Sequence, residues 1–146
     1  MNEREIFSAV EMIHFSYNAF LTDQLKKLGL TGLSSSHCLV LETLIQSGGK
    51  MNMSEISANI NRSKSTCTQL VTKLEGLGLV NRVMSHLDKR CAHVTLTQKA
   101  NQLCANFKGV QGIIETIIKK ALNEKEQVIL VSMLDKIDYQ LKQYVG

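Results

Sequence analysis

The 146-residue chain contains no proline. Proline removes a backbone donor and clashes with the preceding turn, so its absence suits long uninterrupted helices. No run of about 20 apolar residues occurs, which excludes a membrane-spanning helix. The opening Met1-Asn-Glu-Arg-Glu5 enters an amphipathic pattern and has no apolar signal-peptide region, so a cytoplasmic protein is expected. None of the four cysteines, Cys38, Cys67, Cys91 and Cys104, forms a Cys-x-x-Cys pair, and a disulfide framework is not expected. Also missing are a glycine-rich phosphate loop, His-Glu-x-x-His, and Gly-x-Ser-x-Gly, each of which would carry a known chemistry. Asp135 and Asp138 lie three apart on a terminal helix pattern, where they read as solvated charges. Neither an enzyme nor a cofactor is expected. There is no internal repeat, low-complexity tract or flexible linker. With 44% hydrophobic and 21% charged residues, the chain can bury a core and stay in solution as one compact domain.

What the chain does contain is concentrated between Met51 and Thr97. Asn52-Met-Ser-Glu55 starts a short helix as a capping box, in which residues three apart satisfy each other's backbone donors. Asn61-Arg62-Ser63 is a polar turn. From Lys64 the helical period returns, placing Cys67, Leu70, Val71, Leu74 and Leu77 on one face. Ser65, Thr68, Gln69 and Thr72 fall on the opposite face, with Lys64 and Lys73 on its flanks. Leu79 to Met84 and Cys91 to Thr97 read as two strands with a charged tip at 85–90. Helix, turn, helix and hairpin in this order make a winged helix-turn-helix within a mainly α fold.

The net charge is +4, and its location carries more meaning than its size. From Asn59 to Lys99 there are seven bases, Arg62, Lys64, Lys73, Arg82, Lys89, Arg90 and Lys99, against two acids; the rest holds ten bases and eleven acids. The positive excess therefore coincides with the helix-turn-helix. Double-stranded DNA is the expected partner, because each neutralised phosphate releases condensed counterions. Gln69 suits a bidentate pair with adenine, with Ser65, Thr68 and Thr72 near base edges. Arg62, Lys64 and Lys73 suit phosphate, which positions without specifying. A winged-helix module that binds protein rather than DNA is the competing reading, and the basic segment argues against it.

Both ends of the chain add long amphipathic helices. Ile6, Val10, Ile13, Tyr17, Phe20 or Leu21, Leu25 and Leu28 recur at helical spacing up to Gly29, a helix terminator. Ser34 can cap a second helix that closes at Ser47-Gly-Gly49. After residue 98, Leu103, Phe107, Val110, Ile113 or Ile114, and Ile117 or Ile118 form a stripe. Asn123-x-x-Glu126 then repeats the capping box ahead of Val128, Val131, Leu134 and Leu141. A helix of about 25 residues spans nearly 40 Å, longer than the core of a small domain. Part of each stripe is therefore expected to pack on a second copy of the chain. The expected layout is one domain over 1–146, with a winged lobe at about 34–97 and dimerisation helices at about 1–28 and 99–146.

This order of elements resembles the MarR family of bacterial transcription regulators over essentially the whole chain. The most specific stretch is Ser85-His-Leu-Asp88-Lys-Arg90-Cys-Ala-His-Val-Thr-Leu96-Thr97-Gln-Lys99, similar to the family's wing of paired Asp-x-Arg steps before a Leu-Thr. The second step is kept as Asp88-Lys89-Arg90. In the first, Ser85 and Leu87 stand where Asp and Arg would be expected, and Ala100 replaces a common glycine. Leu74-Glu75-Gly-Leu-Gly78-Leu79-Val80 matches the exit from the recognition helix.

The resemblance implies a homodimeric repressor on a pseudo-palindromic operator. Its wing would carry Arg82 and Lys89, with Arg90 in the minor groove and Asp88 holding it in place. It also implies release by a small aromatic or amphipathic effector near His14, Tyr17, His37 and Leu41, or by oxidation of a thiol. Cys38 and Cys91 are the thiol candidates, since Cys67 and Cys104 fall on apolar stripes. A metal site at Glu11, His14, His37 and Cys38 is not expected, for want of a fuller converging donor set.

Overall fold

In a computed structural model, which describes residues 2–84 and 92–145, the chain opens with helix α1, Glu3–Lys27. Asn2 caps it by accepting the Arg4 N–H at 3.1 Å. Gly29, at φ +79°, ends it. The N–H of Gly29 donates to Lys26 O, and that of Leu30 to Leu25 O, the paired bonds that a left-handed residue makes possible at a helix end. Only Leu21 and Leu25 of α1 are buried. Ile6, Val10 and Ile13, earlier along the same stripe, are exposed.

Helix α2, Ser35–Gln46, follows, then strand β1, Lys50–Asn52, and helices α3, Met53–Ile60, and α4, Lys64–Gly76. Strands β2, Val80–Met84, and β3, Ala92–Leu96, complete a three-stranded antiparallel sheet in the order β1-β3-β2. Met51 faces Val94 across one ladder, and Val80 faces Leu96 across the other. The expected caps are present: Glu55 N–H donates to Asn52 Oδ1 at 2.8 Å, and Asn52 N–H to Glu55 Oε2 at 3.3 Å.

β1 was not expected. Three residues are too few to display an alternating period, and Asn52 serves both as the last strand residue and as the helix cap. The other two strands are each shorter than their sequence pattern suggests. Leu79 belongs to the helix terminus, its N–H bonded to Leu74 O, and Thr97 caps the helix after β3, accepting the Ala100 N–H at 3.2 Å.

The chain divides into two compact units, Met1–Asn106 and Phe107–Gly146. The first holds the core: Val40, Leu41 and Leu44 of α2, Ile56 and Ile60 of α3, Cys67, Val71 and Leu74 of α4, with Val80 and Val94 from the sheet. No charged or polar side chain among the described residues is buried with them. Helix α5, Gln98–Ala121, runs from the first unit into the second, and helix α6, Glu124–Gln143, completes the second. Asn123 and Glu126 form the expected capping box, with bonds of 2.8 and 2.9 Å. α6 buries none of its residues.

The start of α2 carries an unusual cap. Ser34 N–H donates to His37 Nδ1 at 2.9 Å, so an imidazole fills the acceptor place that Glu or Gln takes in a capping box. Accepting requires an unprotonated Nδ1. Partial burial, and secondarily the Lys73 ammonium, lower the His37 pKa from its ordinary value. The unfolded chain therefore takes up this proton first, and stability present above about pH 6.5 is lost as pH falls through the lowered value. The urea midpoint is expected to drop over that window, and His37→Gln, which keeps an acceptor that does not titrate, to flatten this part of the profile. An unchanged profile in the variant would remove His37 as the cause.

Candidate nucleic-acid interface

Helix α4 is built to show one face. Ser63 caps it, accepting the Thr66 N–H at 3.1 Å. Its inward residues Cys67, Leu70, Val71 and Leu74 are buried, while Leu77, expected with them, is the half-exposed cap residue. Outward, Ser65, Thr68, Gln69 and Thr72 are all exposed, and Lys64 stands exposed in the first turn. These four polar side chains fall at i, i+3, i+4 and i+7, a single stripe about two turns long.

The basic residues around the stripe divide. Arg62 folds back on the end of α3, its Nη1 donating to Ile60 O at 3.1 Å and Asn61 O at 3.2 Å. The Lys73 ammonium lies over the loop between α1 and α2, where a β-carbon on Gly32 would sit 3.0 Å from Nζ. Lys99 donates to Leu77 O at 2.8 Å, closing the C-terminus of α4. Among the five of these bases that lie in the described residues, four thus make contacts within the protein, the fourth being Arg82.

Arg82 joins the sheet to the helix. Its Nη2 donates to Thr72 Oγ1 at 3.1 Å and to Glu75 Oε1 at 3.2 Å, and its backbone N–H donates to Glu75 Oε2 at 3.3 Å. Those bonds hold the Glu75 carboxyl below its ordinary pKa. Reading the sequence missed Glu75, because its partner is seven residues away on another element and no local pattern marks the pair. Gly78, at φ +73°, makes the turn between them. Asp88, Lys89, Arg90 and Cys91, the expected wing-tip residues and second thiol, lie outside the described residues.

The residues expected around an effector lie where α1 meets α2. Asn18 Oδ1 accepts the Ser35 N–H at 2.9 Å, and its Nδ2 donates to His14 O at 3.1 Å and lies 3.0 Å from His14 Nε2. Burial, then Glu42 and Cys38, raise the Tyr17 pKa. Leu41 is buried in the core and His37 is occupied as a cap. Burial and Glu42 push the Cys38 thiol up to about 11, which suppresses the thiolate that oxidation needs. Cys67 is buried, whereas Cys104, expected in the core, is half-buried. Among the described residues, no three His, Cys, Asp or Glu side chains converge as metal ligands. No helix there is long and apolar enough to cross a membrane.

Comparison with known proteins places this geometry. A family model described as the MarR family matches residues 33–92. The transcriptional repressor MprA of Escherichia coli (strain K12) is 30% identical over 83 residues, 56% of this chain and 47% of MprA. The chain therefore spans about half the length of the curated relatives it matches. Among solved structures, the organohalide sensing transcriptional regulator RdhR, in a form bound to 2,4-dichlorophenol, gives a TM-score of 0.81 at 19% identity, covering 96% of this chain and 85% of that one. A mutant MarR from Escherichia coli complexed with operator DNA gives 0.74 at 19% identity, covering 91% and 93%. At such identities the likeness is one of fold.

Proposed function

We propose that the chain, whose residues 33–92 match the MarR family model, is a homodimeric, sequence-specific DNA-binding transcription regulator of that family, acting as a repressor in the cytoplasm. The observation that carries the reading is the exposed stripe Ser65, Thr68, Gln69 and Thr72 on a helix whose other face is buried. A helix supported in this way can enter the major groove as a rigid rod. Gln69 pairs with adenine, and Lys64 meets phosphate, joined by Arg62 and Lys73 once they swing from their backbone and loop contacts. Lys89 and Arg90 supply the wing's charge, with Asp88 beside them. Arg82 supports the wing from within through Glu75 and Thr72.

The exposed apolar stripes of α1 and of α6, each considered by itself, are the surfaces offered to the second copy. Two-fold symmetry then calls for half-sites about one helical turn apart. The effector is an aromatic compound received near His14 and Tyr17, with His37 and Leu41 as the supporting wall. It works by binding the DNA-competent and incompetent states unequally. The raised thiol of Cys38 argues against oxidation at that residue. The activity is binding, without catalysis.

Affinity for a random duplex is expected to fall about a thousand-fold or more between about 50 and 200 mM salt. Fluorescence anisotropy checks this, and no binding at low salt would favour a protein-interaction module instead. Gln69→Ala is expected to lower discrimination between preferred and random duplexes by roughly ten- to hundred-fold, the worth of a bidentate base contact. Lys64→Ala should weaken both duplexes alike and shallow the salt slope by about one for each bound subunit. Equal losses on both duplexes in the two variants would refute that division of labour.

A further inference from the structure

We propose that α4 reads thymine by its 5-methyl group, through the γ-methyls of Thr68 and Thr72, while Ser65 and Gln69 make the hydrogen bonds. This deepens the regulator reading and rests on it. A threonine hydroxyl has a single proton to donate. Thr68 spends its proton on Lys64 O at 2.9 Å, and Thr72 spends its own on Thr68 O at 2.7 Å, each reaching back one turn along the helix. The Thr72 oxygen also accepts from Arg82 Nη2 at 3.1 Å, and that guanidinium is tied in turn to Glu75.

Neither threonine therefore has a proton for the acceptor atoms of a base edge. Recovering one from Thr72 would break its bond to Thr68 O and disturb the bridge to the wing strand. With the hydroxyls turned onto the backbone, the γ-methyls are what the exposed side of each Cβ offers. On the major-groove edge of DNA the matching apolar group is the thymine methyl. Gln69 stands beside Thr68 and one turn before Thr72, so an adenine read by its amide lies next to the thymines read by the methyls. The ligand class is an A·T-containing half-site whose thymines are recognised by contact rather than by hydrogen bond.

The test uses the full chain and a duplex that it enriches from a random-sequence pool. Each thymidine in turn is replaced by deoxyuridine, which deletes the methyl and leaves the hydrogen-bonding edge intact. At one or more positions in each half-site the wild-type protein is expected to bind about four-fold more weakly for each methyl removed, the worth of one buried methylene-sized group. Thr68→Val should keep this penalty, and Thr68→Ser should lose it at one position. The wild-type scan needs no variant, and circular dichroism checks the helicity of both.

No penalty at any position overturns the inference. So does a penalty that Thr68→Ser keeps at every position, which would mean that another group meets the methyls. If nothing is enriched and no duplex is retained at low salt, the regulator reading falls and this inference with it. Enrichment without a methyl penalty overturns this inference alone.

Discussion

A chain carrying Leu134→Asp and Leu141→Asp is expected to sediment as a monomer and to bind a duplex with two half-sites about two to four powers of ten more weakly than the wild type. That factor is what joining two binding events contributes when the second becomes intramolecular. The expectation comes from α6 taken by itself. Leu130, Leu134, Ile137 and Leu141 recur along one side at helical spacing, and no residue of the helix is buried. Leu134 and Leu141 are 39% and 48% exposed, beside Ile129, Val131 and Met133, each above one half. A continuous apolar face of this kind marks a surface that something covers. The charged pair changes only exposed positions, so the winged lobe should keep its fold and its weak affinity for a single half-site. A double variant that remains dimeric in sedimentation would rule out this face as the contact between copies.

Leu74→Ala should cost about 2–5 kcal/mol of folding stability, read from the shift in urea midpoint. Leu74 is fully buried, and its carbonyl accepts the Leu79 N–H that ends α4. Against a total of about 5–15 kcal/mol for an ordinary domain, the loss is a large fraction. DNA affinity should then fall only as far as the folded population falls. Gln69→Ala, one and a half turns earlier on the outer face, should leave the urea midpoint within about 0.5 kcal/mol of wild type while changing site preference. The two variants separate holding the helix from using it. If they shift stability alike, the two faces of α4 have been assigned wrongly.

Much of this architecture was legible in the residues because its signals are local. Asn52 with Glu55, and Asn123 with Glu126, are three apart and bond as that spacing predicts. Gly29 stops α1 where its missing side chain permits a left-handed turn. The partition of α4 into buried and exposed sides follows from the helical period alone. What the residues did not disclose depends on contacts between elements. A count of charge placed Arg62, Lys73, Arg82 and Lys99 in one basic patch. The folded chain turns the first onto α3, the second over Gly32, the third onto Glu75 and the fourth onto Leu77 O. His37, expected beside an effector, also caps α2 from its position three residues after Ser34. β1 exists because β3 offers it a partner, and nothing within Lys50–Asn52 announces that.

Glu75 gives one carboxylate oxygen to the backbone and the other to the side chain of a single residue on β2. Hairpin and reading helix are thereby pinned into one jaw, and a shift of either drags the other along. If the chain grips DNA as a dimer, as proposed, an operator whose two grooves are set differently would not be met by bending β2 alone; each subunit would have to tilt as a body, and a ligand that jammed that tilt in one protomer would disable both of its grips at once.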